Sequence, residues 1–481
     1  MTGVLGRHFI DGELTVGSGT ADSLSPATGE VLGTFADGGA EEADAALAAA
    51  HRAFSQTSWA QDREVRARVL FEIADALEAR RDEVVLALAR ENGKVLGEAG
   101  FEVDLAIPKL RYYAGLALSD LGAAAEVRPG LYSFSLRQPM GVASVIVPWN
   151  SPVVLAIRSF APALAAGCTV AMKLPGQTGL VNGLLMEIVA SSKSLPAGVV
   201  NSFTETGNEG APLLVDDPRT GVISYTGSAA VGKVIMRQAA GNLVPVSLEL
   251  GGKSPMVVFD DADLDAVIPV LTKGITTFAG QFCMAGSRVL VQRGIADRVR
   301  ERLAESLLAV RIGPGDDPRS DMGPLIDRAS AERVDRMVAA ALDYAKPVVR
   351  GGIPEEEEFA GGAYFRPALL EVDSAEVELV QQEVFGPVGT FEVFDDEDDA
   401  VRLANATDYG LAASVWSRDV DRPLRVARRI DAGTVWTNTW GLVNDQFEEG
   451  GFKHSGVGRL NGKRALEEFQ QIKHLVHAVT R

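Results

Sequence analysis

The sequence predicts an α/β protein built on a doubly wound, mostly parallel sheet, with a second α/β unit and a small β element, and three patterns predict it. From Gly141 onward, short apolar runs alternate with amphipathic helical stretches, the rhythm of strand, crossover helix and next parallel strand. A second series of the same kind begins near Gly251 and runs to about Glu448. Ahead of both lies 126–138, where Leu131, Ser133, Ser135 and Arg137 alternate after Pro129-Gly130, the pattern of a hairpin.

Each element follows from local pattern. Residues up to about 34 alternate short strands with glycine turns; 41–54, 62–92 and 97–118 carry apolar residues at helical spacing. A hairpin projecting from an α/β body needs a partner edge, which points to an oligomer. The first sheet is read as strand 142–147 with helix 153–166, strand 169–173 with helix 179–191, strand 199–203 with helix 209–215, and strand 222–225 with helix 229–240. In the second unit, strands are expected at 255–259, 289–292 and 434–437, and helices at 263–279, 296–310 and 330–344. The tail reads as a helix over 462–474 and then an apolar strand to Val479.

Composition removes several classes. A chain of 481 residues is expected to form two or three domains. The net charge of −19, with no Lys/Arg cluster free of acids, argues against nucleic acid. No stretch has the length and apolarity of a membrane span, and Met1 to Thr20 lacks a signal sequence's basic flank and apolar core, so a cytoplasmic protein is expected. The acidic runs 355–358 and 395–399 read as solvated loop or helix-start charges. The two cysteines indicate no disulfide framework, and Cys168, in a strand-like run, reads as a small hydrophobe. The histidines are scattered, with only His474 and His477 on one helical face, so no metal site is expected.

Cys283 lies in a glycine-flanked connection between a predicted helix and a buried strand, Phe278 to Arg288. The thiol alone leaves two readings open, nucleophile or buried free cysteine. Acyl chemistry at a thiol also needs oxyanion donors and a base for the hydrolytic water. Glu249, on a mostly apolar strand ending at Gly251-Gly252, is either such a base or a solvent-facing carboxylate. Asn150, after Val147-Pro148-Trp149 at a strand's C-terminal end, is either an amide donor to a ligand or the cap of the following helix. Lys173 ends the next strand, within reach of a ribose or phosphate oxygen. The turn Thr226-Gly227-Ser228 through Gly232 either brings backbone N–H groups to an anion or is simply a tight strand-helix turn.

In order along the chain, Pro148-Trp149-Asn150, Thr226-Gly227-Ser228-x-x-Val231-Gly232, Leu248-Glu249-Leu250-Gly251-Gly252-Lys253, Gly280-Gln281-x-Cys283, Glu383-x-Phe385-Gly386-Pro387-Val388 and Lys453-x-Ser455-Gly456-x-Gly458-Arg459 resemble the motifs of the aldehyde dehydrogenase superfamily over essentially the whole length. The resemblance implies a Rossmann-type cofactor domain (1–121 and 142–249), an oligomerisation hairpin (122–141), a catalytic domain (250–448), a return to the cofactor domain (449–463) and an oligomerisation tail (464–481), assembled as a homodimer or homotetramer. It implies Cys283 as nucleophile, Glu249 as base and Asn150 as oxyanion donor. Trp149, Lys173, Gly176, Gly227, Ser228, Gly232, Glu383 and Phe385 would hold NAD or NADP, and Arg158, Phe282 and Met284 would meet the substrate. The implied reaction oxidises an aldehyde to its acid through a thiohemiacetal and a thioester. A CoA-acylating relative, which would not need Glu249, and a non-catalytic protein of the same fold are the rivals.

Three departures from the family pattern carry expectations of their own. Lys173-Leu174-Pro175-Gly176 replaces Lys-Pro-x-Glu, removing the acid that holds the adenosine ribose, so use of both NAD and NADP is expected. Gly458-Arg459-Leu460 replaces Gly-Arg-Glu, removing a carboxylate from the proton path behind the base. Arg158 stands where many relatives carry an aromatic or apolar tunnel residue, and in having arginine there the chain resembles salicylaldehyde and vanillin dehydrogenases; this leans the substrate toward aromatic or hydroxylated aldehydes, with an arginine paired on the helix surface as the alternative.

Overall fold

Two largely parallel sheets carry the architecture in the computed structural model, which describes residues 5–119 and 121–479. The centre of the first is five parallel strands, β1 (Val142–Ile146), β2 (Thr169–Pro175), β3 (Val200–Glu205), β4 (Thr220–Thr226) and β5 (Val246–Glu249), in the order β3-β2-β1-β4-β5. Helices α1 (Pro152–Ala166), α2 (Gly179–Ala190), α3 (Gly210–Asp216) and α4 (Ala229–Ala239) follow β1 to β4 in turn. Antiparallel additions close both edges, His8–Ile10 with Glu13–Thr15 beside β3, and Gly456–Val457 beside β5. Because the strand order reverses between β1 and β4, the loops leaving their C-terminal ends diverge and open a crevice.

Burial explains the helix placement. Helix α1 is apolar on nearly every face and buried at all but one of its positions, so it lies inside the core between the sheet and the N-terminal helices. The second sheet has seven strands, among them β6 (Pro255–Val258) and β7 (Arg288–Gln292), joined through α5 (Leu264–Thr276). Its apolar runs are buried throughout, as a sheet covered on both faces requires. Cys168 is fully buried just ahead of β2, and both cysteines are free. Among the described residues no helix is long and apolar enough to cross a membrane.

Three expectations change. The helix expected over 62–92 is two, Arg63–Ala79 and Arg81–Glu91, because Arg80 leaves helical geometry at φ −108° and ψ 16°. The helix expected over 263–279 stops at Thr276. The tail helix is only Gly462–Glu467, and Gln470–Ala478 is a strand that pairs antiparallel with Leu131–Pro139 over nine residues, a tertiary pairing that overrides local helical spacing. His474 and His477 therefore point to opposite faces of a strand instead of sharing a helical one. That strand, Leu131–Pro139 and Ala123–Arg128 form a separate three-stranded sheet with Gln470–Ala478 at one edge.

Candidate active site

The loop that presents Cys283 begins where α5 ends. Phe278, Ala279 and Gly280 take left-handed φ values of 54°, 53° and 70°, a conformation that costs a residue with a Cβ about 1–2 kcal/mol. Neighbours hold it there. The Phe278 N–H donates to Glu98 of the long helix Leu96–Ser119 at 2.9 Å, and the buried Lys94 ammonium lies 4.3 Å from the Phe278 ring centre. Gln281 donates from Nε2 to the Phe278 carbonyl at 3.1 Å and accepts from the Ile326 N–H at 2.9 Å. A Cβ on Gly280 would lie 2.1 Å from the Gly386 carbonyl oxygen, so the cysteine loop seats against the Phe385-Gly386 turn only with glycine at that position.

Asn150 does not cap α1, because another side chain does. The N–H groups of Val153 and Val154 donate to Glu102 Oε1 at 2.9 and 3.3 Å, and Lys94 contacts both Glu102 and, at 3.1 Å, Ser151 Oγ. Asn150 Nδ2 points across to the Gln281 carbonyl at 3.1 Å, toward the cysteine loop, which decides against the capping role. Glu249 ends β5, paired with Thr226 of β4 on one side and Gly456 on the other. It is 3% exposed, which rules out a solvent-facing carboxylate, and its Oε1 has no hydrogen-bond partner. Burial pushes its pKa up to about 8; the Arg158 and Arg459 charges pull it back while Glu449 and Glu468 push it further. Burial also pushes the half-buried Cys283 thiol up to about 12, opposed by Arg158, so the resting thiol is protonated at neutral pH.

Two cavities meet at this cysteine. A tunnel is lined by Phe101, Phe278, Phe282, Met284, Arg158 and Glu449 among others, and a cleft by Trp149, Thr226, Gly227, Ser228, Glu383 and Phe385 among others. Asn150, Leu155 and Cys283 line both. The cleft opens between β1 and β4, at the reversal of strand order, and α4 points its N-terminus into it with Ser228 Oγ accepting from the Val231 N–H at 3.3 Å. At its other end Glu383 Oε1 accepts from the Gly252 N–H at 3.1 Å, with burial pushing its pKa up to about 7, and Trp149 packs edge-to-face on Phe385 at 5.5 Å. Arg333, on the helix Arg328–Ala341, also lines the cleft and donates to the Val384 carbonyl at 2.7 Å, fixing the Phe385 turn. Nothing in the helical pattern around Arg333 marks it out.

A sequence model of the aldehyde dehydrogenase family matches residues 15–475. A betaine aldehyde dehydrogenase of Bacillus subtilis (strain 168) is 36% identical over 472 residues, covering 97% of this chain and 96% of its own. The chain belongs to the aldehyde dehydrogenase family. A (Z)-2-((N-methylformamido)methylene)-5-hydroxybutyrolactone dehydrogenase of Acinetobacter baylyi is 33% identical over 97% of this chain and 95% of its own. The crystal structure of a betaine aldehyde dehydrogenase of Staphylococcus aureus in complex with NAD+ superposes with a TM-score of 0.96 at 34% identity, covering 99% of this chain and 96% of the other.

Not every residue expected at the cofactor of this aldehyde dehydrogenase lines the cleft. Gly232 packs α4 onto β5, where a Cβ would lie 2.6 Å from Leu250 Cδ2. Lys173 lies on β2, on the side of β1 away from β4, half-buried, with the charges of Glu205 and Asp37 acting on it. Gly176 is more than a missing acid: a Cβ there would lie 2.5 Å from Thr206 Cγ2 and 2.8 Å from its Cα, and Thr206 is held by Asp37, which accepts its N–H at 2.8 Å.

On the tunnel side the alternatives posed for Arg158 combine. It is paired, yet buried in the tunnel wall: Nη1 donates to Glu449 Oε1 at 2.8 Å and Nη2 to Thr226 Oγ1 at 3.1 Å. Glu449 escaped the sequence reading. It faces Leu460 across a backbone bridge, N–H to carbonyl at 2.7 and 2.9 Å, so a carboxylate stands opposite the position where the family's usual glutamate is missing.

Proposed function

We propose that this aldehyde dehydrogenase oxidises an aromatic or hydroxylated aldehyde to its carboxylic acid with NAD+, using Cys283, Asn150 and Glu249. The observation that carries the reading is the position of Cys283, where tunnel and cleft meet, with Asn150 lining both and Glu249 in the cleft wall. Sγ attacks the carbonyl carbon, its proton passing to solvent water, and the oxyanion rests on the Asn150 amide and the Cys283 backbone N–H. When bound in the cleft, NAD supplies the hydride acceptor, and its positive ring favours the thiolate. Once the thiohemiacetal carbon has given up its hydride, Glu249 takes a proton from water, the water attacks the resulting Cys283 thioester, and the acid leaves as Sγ departs as a thiolate.

The cleft suits such a cofactor: an N-terminus of α4 for the pyrophosphate, and Glu383 with Phe385 for the nicotinamide ribose. Asp37 and Glu205 beside Lys173 disfavour a 2′-phosphate, so the reading favours NAD over the dual use expected from Gly176 alone. Phe101, Phe278 and Phe282 suit a ring, and Arg158 suits a polar substituent on it. The buried Glu249 supports hydrolysis over transfer to CoA. The edge strand Gln470–Ala478, with Ile472 and Val476 exposed, supports pairing between copies as a dimer or tetramer. The division of the chain at 121, 141, 249, 448 and 463, and a cytoplasmic location, belong to the same proposal. An aldehyde panel run with NAD and with NADP, with the acid quantified in the presence and absence of CoA, tests the reading. Release of acid with CoA ignored is expected; CoA-dependent thioester release, or no aldehyde oxidised at all, overturns it.

A further inference from the structure

The tunnel is lined by four ionisable groups besides Cys283, namely Glu102, Lys109, Arg158 and Glu449, and each already has an opposite charge of the chain beside it. Glu102 contacts Lys94. Lys109 Nζ donates to Asp445 Oδ1 and to Asn461 Oδ1, both at 2.5 Å. Glu449 takes Arg158 on Oε1 and Asn461 Nδ2 on Oε2, both at 2.8 Å. The wall therefore sums to zero charge in the form of three internally satisfied pairs. Arg158 Nε is enclosed within the wall without a hydrogen-bond partner, so it adds no donor to the lumen. The Glu449 oxygens, each using one lone pair, can still accept.

An ion entering such a tunnel loses its water and meets no free counter-charge, so its desolvation is not repaid. A neutral hydroxyl can exchange its water for a Glu449 oxygen that accepts its O–H. We propose that Glu449, by cancelling Arg158 while keeping lone pairs free to accept, makes the tunnel select an uncharged aldehyde that bears a hydroxyl, and reject aldehydes carrying a carboxylate or a quaternary ammonium group. This deepens the aldehyde reading above and rests on it. Glu449 is then a specificity-determining residue, and the cationic heads that betaine aldehyde dehydrogenases are named for are a poor match here.

The test is kcat/KM for 3-hydroxybenzaldehyde, 4-formylbenzoate and 4-(trimethylammonio)benzaldehyde, each divided by the value for benzaldehyde with the same enzyme preparation. In the wild-type enzyme both charged substrates should fall below about one tenth of benzaldehyde, and 3-hydroxybenzaldehyde should exceed it. Glu449→Gln bares the Arg158 charge and should raise the 4-formylbenzoate ratio about tenfold or more; Arg158→Gln bares Glu449 and should raise the trimethylammonio ratio instead. Charged substrates matching benzaldehyde in the wild type, or ratios unmoved in whichever variant folds, overturn the inference while leaving the aldehyde reading intact. Should no benzaldehyde be oxidised, the aromatic reading fails by itself, and 4-hydroxybutanal against succinic semialdehyde carries the same comparison with the same expected and refuting outcomes.

Discussion

The proposed deacylation requires Glu249 as a carboxylate, so pH is the sharpest perturbation. Burial raises its pKa to about 8, and a base works only in its ionised form, so turnover should rise with pH through about 8 and level off above it. One pH unit below the midpoint roughly one tenth of the enzyme carries the carboxylate, and the rate should sit near one tenth of its plateau. The neighbouring charges fix how the limb moves. Arg158 and Arg459 favour the carboxylate and Glu449 and Glu468 oppose it, so Glu449→Gln should shift the limb to lower pH and Arg158→Gln to higher pH. Glu249→Gln should abolish the limb and slow turnover about a hundredfold or more, while a pre-steady-state burst of reduced cofactor survives. The assay is kcat against pH at saturating aldehyde and NAD, paired with stopped-flow absorbance of the reduced cofactor. A flat profile from about pH 6 to about pH 9, or the same limb in Glu249→Gln, would refute the reasoning.

Cys283→Ser should leave less than about a tenth of wild-type activity while cofactor binding, read by fluorescence titration, persists, because the alcohol is a far weaker nucleophile. Arg158→Ala leaves the half-buried Glu449 carboxylate with only Asn461 as a partner and should lower stability by about 1–3 kcal/mol in denaturant titration. On kcat/KM it should cost 3-hydroxybenzaldehyde about 1.5–3 kcal/mol relative to benzaldehyde; equal losses on both would make Arg158 purely structural. Gly176→Glu, which the family pattern suggests would restore NAD preference, should instead lower the melting temperature, since its Cβ meets the Thr206 backbone. Asp37→Asn should improve NADP relative to NAD by about tenfold, and an unchanged ratio would remove Asp37 from cofactor choice.

The alternating apolar and amphipathic runs after Gly141 made the parallel sheet legible, because strands buried on both faces leave continuous apolar signatures. Cys283, Glu249 and Asn150 were legible as candidates because each sits next to glycine or at a strand end, where local sequence announces a turn. The capping alternative for Asn150 and the solvent-facing alternative for Glu249 are decided only by long-range contacts. Asn150 is released from capping by Glu102, 48 residues upstream, and Glu249 is buried by segments that return near residue 450. The tail helix was misjudged because Gln470–Ala478 owes its strand to pairing with Leu131–Pro139, more than 300 residues away in the chain, a partner that no local window contains. Glu449 left no signal at all, being one acid in an acidic loop whose meaning comes from Arg158 and Leu460 folding against it. Gly176 was legible as a departure, but its cause, the approach of Thr206, belongs to three dimensions.

The central claim is that an acyl group rides on Cys283 and leaves with the help of Glu249. Its most direct test is rapid acid quench of Glu249→Gln during turnover of benzaldehyde with NAD, followed by peptide mass spectrometry. The account predicts one benzoyl adduct, on the peptide carrying Cys283, forming with the burst of reduced cofactor and decaying at the slow steady-state rate. Full turnover with Cys283 unmodified at every time point, or the adduct on Cys168 instead, would contradict it.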